Sequence, residues 1–153
     1  MADNGRELMP GSAATQEGMV ALFNASDDTV DMVQDLLTKS GSNQTLISCH
    51  FADLKKGVVD VGKYLAKHNP EVVIFDLSPP YDENWTYFTS MRRTAAMVGR
   101  GVVLTTTNKA RLDEVVGEDS QALEVVGKAA DLAAIDHAIK AETQKALALR
   151  LAL

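Results

Sequence analysis

Three short runs of the chain, MVALF at 19–23, VVIFD at 72–76 and VVLTT at 102–106, are apolar at nearly every position. A strand with one face in water alternates apolar and polar residues. Runs without alternation belong to strands buried on both faces, as in a parallel sheet covered by helices on each side. Thr45–His50 and Leu123–Val126 are two further strand candidates, and segments of helical period separate all five. Val30, Val33 and Leu37 form one stripe, and Leu54, Val58, Val61 and Leu65 a second. Trp85, Phe88 and Met91, then Leu112, Val115 and Val116, then Leu132, Ile135 and Ile139 complete the set. Spacings of three and four put each stripe on one helix face, where it reads as core.

The punctuation agrees. Ser26, Asp27 and Asp28 stand before the first helix and Asn108 before the fourth, all residue types that cap helix N-termini. Ser40-Gly41 ends the first helix, and Asn69-Pro70 ends the second just ahead of a strand. Five strand–helix units predict a doubly wound α/β domain of flavodoxin-like (βα)5 type, with a five-stranded parallel sheet in the order 2-1-3-4-5.

At 153 residues with 46% hydrophobic and 24% charged side chains, the chain suffices for one domain that folds without disulfide or metal. A net charge of −6 speaks against nucleic acid, because a phosphate-backbone binder needs a basic footprint. The single cysteine, Cys49, excludes an internal disulfide and a multi-thiolate metal site. Residues 1–18 read as a flexible leader with neither the basic nor the apolar region of a secretory signal. No run approaches the roughly 18 apolar residues of a membrane span. A cytoplasmic protein without membrane attachment is the expectation.

In this topology functional residues gather at the carboxyl ends of the strands, around the switch point between the first and third. The first strand delivers Asn24, Ala25 and Ser26, the third Asp76, the fourth Thr105, Thr106 and Thr107, and the fifth Gly127-Lys128. Singly, each has a plain structural reading: a turn aspartate, strand threonines, a solvated lysine.

Together, FDLSPP at the third strand and VVGKAADL at the fifth, within that strand order, resemble the receiver domain of two-component response regulators. The resemblance runs from about Met19 to Lys140. It implies that Asp76 is the phosphoacceptor, that Pro80 is the proline following it, and that Lys128 is the lysine ending the fifth strand. It also implies a hydroxyl residue at the end of the fourth strand. The usual separation from the lysine gives Thr106, and the local VVLT pattern gives Thr105. The chemistry is coherent, since a carboxylate can attack a reactive phosphodonor, and a lysine, a hydroxyl and Mg2+ can neutralise the transferring group. Expected partners are a sensor histidine kinase or phosphotransfer protein and a downstream protein target.

The departures are specific. The pair of acidic residues that holds Mg2+ in receivers falls here on Asn24 and Ala25. Asp27 and Asp28 follow and either cap the first helix or, with a rearranged loop, let Asp27 join Asp76 as a weak metal ligand. Without the pair, Asp76 and Lys128 are expected to form a direct ion pair, with Mg2+ bound weakly or not at all. Ala129 stands where receivers carry a proline, so a cis bond there is not expected, given the cost of about 2.5–4 kcal/mol without proline.

Other features read as structure. Gly99-Arg100-Gly101 precedes a strand, so it is a turn and not a dinucleotide loop, and no P-loop occurs. Cys49-His50 reads as a packed strand end, His68 and His137 as surface residues, and Asp82-Glu83-Asn84 as a solvated loop capping the third helix. Leu147, Leu149, Leu151 and Leu153 alternate with other residues, and that period two does not continue an amphipathic helix. The expected organisation is a leader over 1–18, a receiver-like domain over 19–142 and an apolar tail over 143–153. The tail either is unstructured or packs on a partner, a weak homodimer included. The functional expectation is a single-domain receiver, not an enzyme, that takes part in phosphorelay and acts through protein contact. The alternative is a phosphorylation-independent pseudo-receiver serving as an interaction module. A flavin or nucleotide binder is remote, since no phosphate-cradling loop follows the first strand.

Overall fold

A computed structural model describes residues 18–41 and 43–152. The expected leader, apart from Gly18, and Leu153 lie outside the described residues. The elements are β1 (Met19–Asn24), α1 (Asp27–Lys39), β2 (Thr45–His50), α2 (Phe51–Lys55), α3 (Val61–His68), β3 (Val72–Leu77), α4 (Tyr81–Arg92), β4 (Gly101–Thr106), α5 (Lys109–Val116), β5 (Leu123–Glu124) and α6 (Ala129–Ala152). A 3-10 turn at Ala95–Met97 precedes β4. All strand pairs are parallel, and the order is β2-β1-β3-β4-β5. This is the flavodoxin-like doubly wound architecture.

Every residue of β3 is buried, as are five of the six in each of β1 and β4. Strand alternation sorts them into two cores. Ala21, Phe23, Val73, Phe75 and Leu77 face α2 to α5, together with Leu65, Phe88 and Leu112. Val20, Leu22, Val72, Ile74 and Val103 face α1 and α6, against Val33, Leu37, Ile135 and Ile139. The continuous apolar runs are therefore strands covered on both sides, while the polar-alternating β2 is an edge.

The second helical stripe is not one helix. The chain leaves α2 at Lys56, Gly57 takes φ +78°, and the Val58 N–H donates back to the Asp53 carbonyl at 3.0 Å, closing the helix end. Val58 is then 71% exposed, and α3 starts afresh with Asp60 accepting from the Lys63 N–H at 3.0 Å. Glycine's access to positive φ outweighs the apolar spacing here.

The C-terminal segment also differs from its expectation. The helix continues through 143–152 without a break. Ala146 is buried, Glu142 reaches the Val102 N–H, and Arg150 bonds Glu71 at 3.2 Å and the Pro70 carbonyl at 3.3 Å. Close approach of a small residue and a polar anchor hold this part, so no leucine stripe is required. Leu147, Leu149 and Leu151 stay exposed.

The loop before β5 is fixed from α5. Asp113 accepts from Lys109 Nζ at 2.6 Å, and from the Ser120 hydroxyl and N–H at 2.6 and 2.9 Å. The Lys109 ammonium first, and then Ser120, hold the Asp113 carboxyl down at about 2. A depressed folded-state value means that this contribution is present above the unfolded value and lost as pH falls through about 2. Urea unfolding at a series of acidic pH values should therefore show the gap between the native chain and Asp113→Asn closing over that window. Separately, a Cβ on Gly101 would lie 2.6 Å from the Glu142 Cβ and 2.9 Å from its carbonyl oxygen. Gly101→Ala should cost about 1–3 kcal/mol in urea unfolding by pushing α6 off β4.

Candidate functional site

Asp76 is the next-to-last residue of β3 and shares its face with Val72 and Ile74, toward α1 and α6. Its side chain is the one polar group in a strand of apolar residues, and only 8% of the residue is exposed. A buried carboxylate needs donors, and three reach it. Oδ2 accepts from the Ala25 N–H at 3.2 Å and the Thr29 hydroxyl at 3.0 Å. Oδ1 accepts from the Thr105 hydroxyl at 3.1 Å.

The two threonines ending β4 part company. Thr105 is the register neighbour of Asp76 and lies on the same face. Thr106 points to the opposite face, is fully buried, and donates to the Tyr81 hydroxyl at 3.4 Å. Thr105 is thus in contact with Asp76, and Thr106 is in contact with the start of α4.

Thr29, which sequence reasoning missed, sits in the first turn of α1. Helical side chains lean toward the helix N-terminus, which brings its hydroxyl over the carboxyl end of the sheet. No local pattern flags such a residue. Asn24 is 1% exposed, and its Nδ2 donates to the Ser26 carbonyl at 2.8 Å, tying down the loop that presents the Ala25 N–H. Ser26 stands at the N-cap of α1, but its hydroxyl faces Thr29 Oγ1 at 3.3 Å instead of capping backbone.

Lys128 lies at the same end of the sheet but does not form the expected ion pair with Asp76 among the described residues. The cause is local. β5 stops at Glu124, Gly127 takes φ +94°, and the chain turns into α6 with the Lys128 side chain exposed. Its N–H and that of Val126 donate to Asp131 at 2.9 and 2.8 Å, and these bonds lower the Asp131 pKa. The peptide bond before Ala129 is trans, and the cis bond of this region is Pro79-Pro80.

Asp27 and Asp28 open α1, and the Asp27 carboxylate meets His50 Nε2 at 3.2 Å across the end of β2. His50 is therefore a partnered strand end. Among the described residues, no three His, Cys, Asp or Glu side chains gather as a metal-binding group. Burial, then the charge of Asp53, pushes the neighbouring Cys49 thiol up, against the thiolate that a nucleophile requires.

A shallow depression of about 170 Å³ lies beside the site, over the ends of β2, β1 and β3. Asn24, His50, Lys55, Ser78 and Asn84 line it. Asp82-Glu83-Asn84 is not a loop, because these residues form the first turn of α4. Asn84 is 3% exposed, accepts from Lys55 Nζ at 2.6 Å and donates to the Ser78 carbonyl at 2.6 Å. Lys55 also pairs with Glu83, so the polar groups of this depression satisfy one another.

The geometry ranks the hydroxyls. Thr105→Val removes a donor to a buried carboxylate and should cost about 1–3 kcal/mol in urea unfolding. Thr106→Val loses two long contacts, to the Tyr81 hydroxyl at 3.4 Å and from the Asn108 N–H at 3.5 Å, and should cost less than about 1 kcal/mol. Equal losses would contradict the assignment of Thr105 to Asp76.

Set against known proteins, the chain matches no family model and no curated protein.

Proposed function

We propose that the protein is a receiver-like signalling module that works through protein contact without phosphorylation, with Asp76 as a structural hub in place of a phosphoacceptor. The observation that carries this reading is the engagement of both Asp76 oxygens by donors from Ala25, Thr29 and Thr105. Three donors stabilise the carboxylate and draw on the lone pairs that a nucleophile must offer. They also join the β1–α1 loop, α1, β3 and β4 at one point.

The Mg2+ of the family's chemistry fits these residues poorly. Such an ion takes near-octahedral oxygen ligands. The Ala25 backbone turns an N–H toward Asp76, and Asn24, whose Nδ2 is tied to the Ser26 carbonyl, offers only a neutral amide oxygen. Asp27 is turned to His50. Lys128 is exposed and makes no ion pair with Asp76.

The second reading keeps Asp76 as phosphoacceptor in a phosphorelay, served by a sensor histidine kinase or phosphotransfer protein. The contact between Thr105 and Asp76 at the carboxyl edge favours it. In that reaction a carboxylate oxygen of Asp76 bonds to phosphorus as the donor's leaving-group bond breaks, giving an acyl phosphate.

Intact-mass measurement after incubation with acetyl phosphate, with and without Mg2+, separates the two. The expected result is an unmodified chain under both conditions. A Mg2+-dependent phosphoryl adduct on Asp76 would establish the phosphorelay reading instead. In the same series, calorimetric titration of the native chain should give Mg2+ binding in the millimolar range or weaker, on the order of −4 kcal/mol or less favourable. Asn24→Asp with Ala25→Asp should tighten it at least tenfold. Binding by the native chain at micromolar Mg2+ would contradict the hub reading.

A further inference from the structure

β4 has a half-open edge. It runs from Gly101 to Thr106, yet β5 pairs only with Thr105 and Thr106. The Gly101 N–H donates to the Glu71 carbonyl at 2.8 Å, so Gly101 and Val103 direct their backbone groups to β3. By strand alternation, Val102 and Leu104 direct theirs outward. The Val102 N–H meets Glu142 Oε1 at 3.3 Å, a carboxylate oxygen standing where a strand carbonyl would be. The Val102 carbonyl and the Leu104 N–H meet no partner among the described residues.

The chain does not fill this gap with its own β5. The segment before β5 is held to α5 by Asp113 through Ser120, and Gln121 turns it with φ +64°. Between this loop and β4 lie two depressions of about 220 and 340 Å³ that share Arg92, Val102, Gln121 and Glu142. They form one slot along the strand edge. Its rim carries Arg92, which is exposed, lies over the Phe88 ring and makes no ion pair among the described residues. Arg100 and Lys145 also line the slot, against the single acid Glu142 among the described residues. On a chain of net charge −6, this lining is locally basic.

We infer that the slot receives an extended segment of a partner protein, which adds a strand to β4 and places an Asp or Glu against Arg92. An unpaired carbonyl and N–H two residues apart select an extended backbone, and the basic rim selects the side chain. A helix would leave both backbone groups unmet. The inference names a contact surface and is independent of whether Asp76 is phosphorylated.

The test uses the full chain as bait for a displayed library of random seven-residue peptides, with amide hydrogen exchange by NMR as the second readout. In the chain alone, the Leu104 amide should exchange fast while those of Val103 and Thr105 are protected by β3. Enriched peptides should carry an Asp or Glu among β-branched residues and should protect the Leu104 amide on binding. Arg92→Glu should weaken them tenfold or more without changing the exchange of Val103. An empty selection, peptides that leave Leu104 unprotected, or indifference to Arg92→Glu would overturn the proposal. Leu104 protection that grows with the protein's own concentration would overturn it in favour of a second copy of the chain.

Discussion

The constraint on which the fold turns is the burial of β3 on both faces. Val72, Val73, Ile74 and Phe75 have no exposed surface, so helices must cover each side, and neighbouring strands must be parallel to allow the crossovers. A strand buried in this way can carry a charge only at its end, and only if the surroundings satisfy it. Asp76 stands at that end. The three donors it gathers come from two stretches of sequence, Ala25 and Thr29 around the start of α1 and Thr105 at the end of β4, so the carboxyl edge closes only when both are in place beside β3.

The amino edge is closed by a different device. Arg100 donates to the Ala96, Pro70 and Leu65 carbonyls and to Asn69, and Arg150 reaches Asn69, Pro70 and Glu71 from the last helix. Burial, and then the nearby Arg150 charge, lowers the Arg100 pKa. Two guanidiniums thus gather on the turn that follows α3, where Asn69 takes its left-handed conformation and its N–H closes the helix on the Leu65 carbonyl at 2.8 Å. Beyond Ile135 and Ile139, which pack on the sheet, helix α6 is held by this polar anchor and by the close approach at Gly101. Its leucine-rich end remains largely in solvent.

What was legible in the sequence follows from these facts. Unbroken apolar runs reveal a doubly covered strand, and so the five strands and their order could be read. The same lack of alternation hides which face each residue takes, which is why Thr105 and Thr106 could not be separated beforehand. Register with Asp76 decides between them, and register is a property of two strands. The Leu54–Leu65 stripe misled because spacing counts positions and not the turn that Gly57 allows. Thr29 was invisible for a related reason, since its partner Asp76 lies 47 residues away on another element, and Asn84 read as part of a solvated loop because its partner Lys55 lies 29 residues away on α2. The aspartate and the lysine of the receiver resemblance share an edge of the sheet, yet the short β5 leaves them unpaired.

That short β5 also shapes the far side of the molecule. Because Asp113 and Ser120 keep the preceding loop on α5, the sheet ends in a strand only partly covered. Natural sheets protect open edges with charges or a covering element. Here Glu142 supplies one oxygen, and Arg92 charges the rim. The end of β4 joins the two regions. Adjacent residues there contact Asp76 on one face and Tyr81 on the other. Thr105 and Thr106, joined by a single peptide unit, thus set a contact to the Asp76 carboxylate beside a contact to the first residue of α4. Arg92, at the other end of that helix, borders the open slot. β4, α4 and β5 each touch both the threonines ending β4 and the slot, since β5 pairs with Thr105 and Thr106 and sets Leu123 in the slot's lining, so coupling between the buried carboxylate and a strand docked on β4 has three elements to run along.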